Sequence, residues 1–445
     1  MNSLNSLTDS LMDTLSHIVK GSVELIRHPK HITDLDEHSF HHMLRYLPLT
    51  DVFVCRQVSR FFLRQADSFL ENCHHLTYGC RLNGVHISNG EYVFNGQVFD
   101  YVVSKMPNIR VMKFAKCPEM RFALATTNYD IIFTLTNHLV MLNELHITRC
   151  RALDMKSIKL LVDWFPNMTH LTVSVYNETS LEIITKGLAN LKYFNLDDSV
   201  LDNYGNHLQL LGLKIHTFIA AADHNNHKTS IIDGLLNGNG RDLQVLDLRI
   251  KVFDCDQQLF DRIGKEFSEL TSLKIVLQSR RTVRNNALLA GLSQLTHLKQ
   301  LHIEETKRYK NFHSVFDDNS ILIVIKNCRQ LESLSLISGG KHELLTGDIN
   351  DIDANERNKS ALYKSLSDMS LSQLDELLPH LKQLCLKNLD ITDRTLESLE
   401  RLSKLRSLRL DTLPGLTFDG VQDFMANATQ INRLEVVNCL KPQFI

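Results

Sequence analysis

Three stretches of the sequence bring metal-binding or acid–base side chains close together. EHSFHHM places His38, His41 and His42 at helical neighbour spacing. CHHLTYGC offers Cys73, His74, His75 and Cys80. DIDANERNKSAL opens like a calcium loop, with Asp351, Asp353 and Asn355. A structural metal needs three or four converging ligands, themselves oriented by further hydrogen bonds. The histidine trio reads as a solvated helix face, and the Cys/His stretch fits no closed zinc spacing. The third stretch fails as a calcium loop at its turn, where Glu356 stands in place of glycine. It fails again at the twelfth position, where Leu362 replaces the bidentate Glu. There is no glycine-rich phosphate loop and no G-x-S-x-G elbow. No motif around the nine cysteines marks a transthiolation nucleophile. The expectation is therefore no metal, no cofactor and no catalytic residue.

The elements that would have to position a site are repeats. LNELHITRC (142–150), LQVLDLRI (243–250), LKQLHIEE (298–305), LESLSLIS (331–338), LKQLCLKN (381–388) and LRSLRLDT (405–412) share the pattern apolar-x-x-apolar-x-apolar. Weaker copies begin at Ile109, Met168, Leu191, Leu270 and Ile431, and the faintest begins at Ile215. Most consecutive copies lie 23 to 28 residues apart, inside the leucine-rich-repeat period. The segments before them, such as DMKSIKLLVDWF, FDRIGKEFSEL, LSQLDELLPHL and RTLESLERLSKL, have apolar residues at three-to-four spacing and read as amphipathic helices. Several open on Ser, Asn, Asp or Thr, the usual N-cap types. A short strand plus a helix cannot bury its apolar faces alone, so such units stack. The expected fold class is α/β, a leucine-rich-repeat solenoid over 73–445 with a concave parallel sheet and convex helices. Residues 73–105 read as an atypical first repeat. A polar insertion near 338–370 reads as a loop, expected to leave at the edge of the concave sheet.

Composition bounds the partners. The formal net charge of the 445 residues is −2, so no global basic field favours nucleic acid or anionic lipid. No apolar run approaches the ~18 residues of a membrane span. The first 21 residues lack the basic start and apolar core of a signal peptide. Unpaired cysteines, odd in number and scattered, suit a reducing compartment, cytoplasm or nucleus. Residues 1–30 read as an extension, with Leu4, Leu7, Leu11, Leu15 and Ile18 spaced for an amphipathic helix.

Residues 31–72 differ from everything after them. Leu35, Phe40, Met43, Leu44 and Leu47 form one helical stripe. Leu47-Pro48-Leu49 breaks it, because proline removes a donor and disfavours helix before it. Thr50-Asp51 then offers a cap to a second helix carrying Val52, Val54, Cys55, Val58 and Phe62. This pattern resembles the F-box family from 32 to 62, through Leu35, Phe40, Met43-Leu44, Leu47-Pro48-Leu49, Asp51-Val52, Cys55, Val58, Ser59-Arg60 and Phe62. It departs at Leu35-Asp36, where the family has Leu-Pro. F-box proteins followed by leucine-rich repeats form a large class. The resemblance implies a non-catalytic substrate receptor of a Skp–cullin–F-box ubiquitin ligase. Leu35, Phe40, Leu44, Leu47, Pro48, Leu49, Val52 and Val58 would then bind the Skp adaptor and through it the cullin core. The repeats would hold a target protein.

Strand side chains alternate, so residues between the repeat's apolar positions face away from the core. They include Glu144, His146, His170, Asp197, Asp247, Arg249, Glu304, Arg409, Asp411, Arg433 and Glu435, the candidate target-binding set. Their mixed signs favour a protein or peptide over nucleic acid. Two other readings stay open: an interaction scaffold without ligase recruitment, and a regulator of a small GTPase.

Overall fold

The computed structural model describes residues 35–78, 85–88, 91–94, 96–114, 128–147, 153–175, 178–196, 215–222, 242–252, 257–279, 288–306, 316–339 and 366–439. The N-terminal extension, Cys80, Asp197, the calcium-like stretch and 340–365 of the polar insertion lie outside them. The chain divides into two compact units, the first ending at Ser174 and the second beginning at Val175.

The described residues of the first unit begin with three helices, α1 (Glu37–Leu44), α2 (Leu49–Cys55) and α3 (Arg60–Glu71). Asp36 caps α1: its carboxylate accepts from Ser39 N at 2.8 Å and from Ser39 Oγ at 3.1 Å. The second helix begins earlier than the sequence suggests. Pro48 is its N-cap residue, with no side-chain cap bond, and Thr50 and Asp51 lie in its first turn. It also stops at Cys55, because Ser59 caps a separate helix by accepting from Phe62 N. Phe62 therefore belongs to α3. Phe40 packs edge-on against Phe61 and Phe62, with centroids 5.5 and 5.3 Å apart.

The helical head runs straight into a repeat sheet. Strand β1 (His75–Tyr78) pairs in parallel with β4 (Val111–Phe114), which is followed in order by β5 (Glu144–Ile147) and β6 (His170–Thr172). The atypical stretch after β1 holds an antiparallel hairpin, β2 (Val85–Ser88) with β3 (Glu91–Phe94), and then α4 (Gly96–Ser104). Two further helices are α5 (Asn128–His138) and α6 (Met155–Trp164). Tyr78, Phe99 and Phe114 form the aromatic centre of the first repeat. Arg56 joins the head to α4. Its Nε donates to Asp67 at 2.6 Å, its Nη1 donates to the Tyr101 hydroxyl, and its guanidinium lies 5.7 Å from the Phe53 and Tyr101 ring centres.

Among the described residues the second unit holds nine parallel strands in sequence order: β7 (Tyr193–Leu196), β8 (Thr217–Ala222), β9 (Val245–Val252), β10 (Ser272–Ser279), β11 (Gln300–Thr306), β12 (Ser333–Ile337), β13 (Gln383–Lys387), β14 (Ser407–Asp411) and β15 (Arg433–Val437). Every repeat copy read from the sequence is a strand, the faint one at Ile215 included. Its described helices are α7 (Glu178–Gly187), α8 (Gln257–Glu266), a 3-10 helix over Leu288–Gln294, α9 (Asp318–Asn327), α10 (Asp368–Leu371), α11 (Leu374–Leu377), α12 (Asp393–Glu400) and α13 (Phe418–Asn427). LSQLDELLPHL is two short helical turns rather than one helix. The Asp375 N–H, which an unbroken helix would use internally, donates instead to Ser398 Oγ of α12. The repeat leucines form the core: Leu334, Leu384 and Leu408 share one row, and Leu336, Leu386 and Leu410 the next, all buried. This is the leucine-rich-repeat fold, with the apolar strand face against the helices and the alternate face open.

Candidate functional site

Two surfaces are candidates for function: the helical head and the open strand faces. In the head, the eight residues taken from the family pattern separate into two groups. Phe40, Leu44, Leu47 and Val52 are buried in the head itself. Burial of each such side chain stabilises by roughly 1.5–3 kcal/mol, and these four hold α1 to α2 and α3. Pro48 is exposed, Val58 is 45% exposed, and Leu35 and Leu49 are half-buried. Tyr46 and Leu63, which the pattern did not single out, are exposed as well. The accessible apolar surface of the head is thus carried by Pro48, Val58, Tyr46 and Leu63. The reason is geometric. A three-helix unit this small uses its regular stripe to close its own core, leaving the turns and helix ends to face outward.

Of the three helical histidines, His38 is exposed and the other two meet aromatic rings. His41 Nε2 lies 3.2 Å from the Gln65 carbonyl, and its ring meets Phe69 edge-on. His42 meets Tyr46 in the same way. Among the described residues no three His, Cys, Asp or Glu side chains converge as a metal site. The described cysteines are free thiols. Burial pushes Cys55 up to about 11 and Cys328 up to about 12, far from a reactive thiolate at neutral pH. No described helix is long and apolar enough to cross a membrane.

The open face of the first unit carries Glu144, His146 and His170. His170 Nδ1 lies 3.6 Å from Glu144 Oε1, and His146 Nδ1 lies 2.9 Å from Thr172 Oγ1. Burial, then the nearby Lys113 ammonium, holds the His146 imidazole below the usual histidine range.

On the open face of the second unit, Asp247 pairs with Lys274 at 2.9 Å, and His302 with Glu304 at 3.3 Å. Arg249 is exposed beside them. Toward β15 the register aligns Ser333, Gln383, Ser407 and Arg433 in one row. The next row is Ser335, Cys385, Arg409 and Glu435, and the third is Ile337, Lys387, Asp411 and Val437. Asp411 departs from the expectation of an accessible residue. It is 3% exposed, because Thr412, Lys387 and Arg409 close over it. Burial alone would raise its carboxyl, but the bonds from Thr412 and Lys387 outweigh it and lower it, so the group is charged at neutral pH. Nothing in the sequence marks this burial, since Asp411 shares the strand alternation of residues that are accessible.

No family model and no curated protein matches the chain. Among solved structures, a chain of the Rad7–Elc1 complex from yeast superposes with a TM-score of 0.52 at 14% identity, over 98% of this chain and 95% of that one. An internalin of Listeria monocytogenes is 13% identical with a TM-score of 0.45, covering 87% of this chain and 93% of that one. A leucine-rich-repeat protein of Leptospira interrogans, LIC12759, is 14% identical with a TM-score of 0.39, covering 86% and 94%. At such identities the likeness of the yeast chain is one of fold.

Proposed function

We propose that this chain is the substrate-recognition subunit of a Skp–cullin–F-box ubiquitin ligase. The head docks on the Skp adaptor and through it on the cullin core, and the open strand faces hold the protein to be modified. Ubiquitin transfer belongs to other subunits. The observation that carries this reading is the head's accessible apolar surface. Pro48, Val58, Tyr46 and Leu63 remain outside although Phe40, Leu44, Leu47 and Val52 already close its core. Accessible apolar residues gathered on so small a unit suit a protein interface. The F-box-like pattern of 32–62 names the partner. The yeast chain of similar fold, found in complex with a second protein, agrees with a binding role.

Val58→Asp combined with Tyr46→Asp tests it. Both positions are exposed, so the head stays folded, while a carboxylate at an apolar contact carries a desolvation cost. The expected result is an approximately tenfold or greater loss of Skp co-purification, corresponding to about 1.4 kcal/mol or more, with unchanged circular dichroism. Adaptor recovery at the wild-type level would overturn the reading. Leu44→Asp with Leu47→Asp is the wrong test, since both side chains are core and the head would unfold.

One observation favours a second reading, in which the head caps the repeats and recruits no ligase. Arg56 binds it to Tyr101, and Asn108 of the first repeat donates to the Glu71 carbonyl at 2.9 Å. Under that reading the same double variant leaves every co-purifying protein in place.

A further inference from the structure

The open face changes character between β12 and β15. Upstream, Asp247 stands beside Lys274 and His302 beside Glu304, with Arg249 exposed next to them. Downstream, three cations are accessible: the side chains of Lys387, Arg409 and Arg433 are 39%, 49% and 73% exposed. Two carboxylates oppose them, but that of Asp411 is only 5% exposed and that of Glu435 31%. The surface a partner meets is therefore positive, although the chain as a whole is not. Here the face also sinks into a depression of about 280 Å3. Its lining includes the short side chains of Ser333, Ser335, Ser407 and Cys385 and three charged ones, Arg409, Arg433 and Glu435. Short side chains let another backbone lie close to the strands.

The guanidinium of Arg409 is loosely held. Its two Nη groups reach Glu435 at 3.3 Å and Asp411 at 3.4 Å, both beyond the ~2.7–2.9 Å of a strong charge-assisted bond. Glu435 is held better by Arg433, whose Nε donates to it at 2.8 Å. Arg409 and Arg433 are diagonal neighbours on adjacent strands, since Arg409 pairs with Glu435 and Ser407 with Arg433. Such neighbours are separated by roughly 7–8 Å. Alternate side chains on one side of an extended chain repeat at about 6.6–6.8 Å.

We propose that this depression binds an extended acidic peptide segment, with carboxylates two residues apart meeting Arg409 and Arg433. The proposal rests on the reading of the open face as the target-binding surface, and it names the chemistry of the target. Charge complementarity selects the occupant, and the matching spacing selects its conformation.

The test is fluorescence anisotropy of a labelled peptide alternating Ser and Glu, with the full chain at about 0.15 M salt, where surface electrostatics are screened beyond roughly 8 Å. The wild-type chain is expected to bind it. Arg409→Glu with Arg433→Glu is expected to weaken binding about tenfold or more, as loss of two charge-assisted contacts requires. Glu435→Gln, which removes the carboxylate that holds Arg433 and leaves Arg409 facing Asp411 alone, is expected to tighten it several-fold. The matching Ser/Lys peptide and a single-stranded oligothymidine are expected not to bind. Absence of binding, equal binding by the charge-reversed chain, or tighter binding of the oligonucleotide would overturn the proposal. Should the double variant fail to fold, unchanged or weaker affinity of Glu435→Gln overturns it instead. The assay contains no adaptor, so its failure leaves the ligase reading standing, and loss of adaptor recruitment leaves the peptide site standing.

Discussion

At the scale of single residues, the C-terminal repeats are joined by a ladder of aspartates. Asp318, in the first turn of α9, accepts from Ser367 N and Oγ and from Ser370 Oγ at 3.0, 2.7 and 2.7 Å. Asp368, in the first turn of α10, accepts from Thr392 N and Oγ1 and from Thr395 Oγ1 at 2.9, 2.6 and 2.5 Å. Asp393, in the first turn of α12, accepts from Thr417 N and Oγ1 at 3.0 and 2.6 Å. Each carboxylate thus fixes the N-cap residue of the following repeat. Asp368→Ala is expected to destabilise the second unit by about 2 kcal/mol, the scale of charge-assisted hydrogen bonds, as read by urea unfolding. Burial alone would raise the Asp368 carboxyl, but the threonine bonds outweigh it and hold it below the usual range. Because the folded value is the lower one, this stabilisation is present above about pH 4, the unfolded carboxylate value, and is lost as pH falls through the folded value. The alanine variant should therefore lose less stability than wild type on acidification below that pH. A second residue carries strain. Thr412 has φ 55°, the left-handed region, as do Asn388 at 55° and Asn438 at 54° in the neighbouring repeats. Asparagine tolerates this backbone, whereas a β-branched residue there is strained by roughly 1–2 kcal/mol. Thr412→Asn is expected to raise the unfolding midpoint, and a lowered midpoint would show that the Thr412 hydroxyl bond to Asp411 outweighs the strain.

At the scale of elements, the strands were the most legible part of the sequence. Two or three large apolar side chains at fixed offsets suffice to bury one strand face, and that pattern survives even at Ile215. Helices were less legible. DMKSIKLLVDWF and RTLESLERLSKL carry regular stripes and became α6 and α12, whereas α13 was not anticipated, and Leu288–Gln294 tightened into a 3-10 helix. What the sequence could not convey is how closely that 3-10 helix and α8 approach. A Cβ on Gly264 would stand 1.9 Å from the Gly291 carbonyl oxygen, and one on Gly291 would stand 2.5 Å from Asp261 N. Both obstacles are backbone, so neither yields by a side-chain rotation. Gly264→Ala is expected to cost about 3 kcal/mol or more through overpacking, seen as a lowered melting temperature. An unchanged melting temperature would mean that the two helices separate freely. The head teaches a related lesson. Its stripe was read correctly as apolar, but a pattern alone does not distinguish a side chain that closes a core from one that meets a partner. Phe40 and Val58 differ in this respect only once α3 is in place.

At the scale of the molecule, the change from successive helices to strand-and-helix repeats was readable from the abrupt change of pattern near residue 72. The positive surface near β15 was not, because it depends on Asp411 being covered. Stability within the second unit should also be graded. Leu408 and Leu410 of β14 are fully buried, whereas Leu434 and Val436, in the matching register of β15, are half-buried. A repeat protein distributes its stability through nearest-neighbour contacts, so amides of β15 are expected to exchange with solvent before those of β10 and β11. Uniform protection across these strands would contradict that gradient. The aspartate ladder has a further meaning for how such a chain grows or shrinks. Each rung ends in the same grammar, a carboxylate followed one repeat later by the backbone N–H and hydroxyl of a serine or threonine. Excision of residues 392–416 would bring Thr417 to the place of Thr392, facing Asp368, and the rung would re-form with only the Thr395 hydroxyl missing. Removal of a few residues more or fewer would leave a carboxylate opposite nothing. The chain is thus divisible in whole repeats and in no smaller step, a modular currency in which the length of the open face could be altered without redesigning its core.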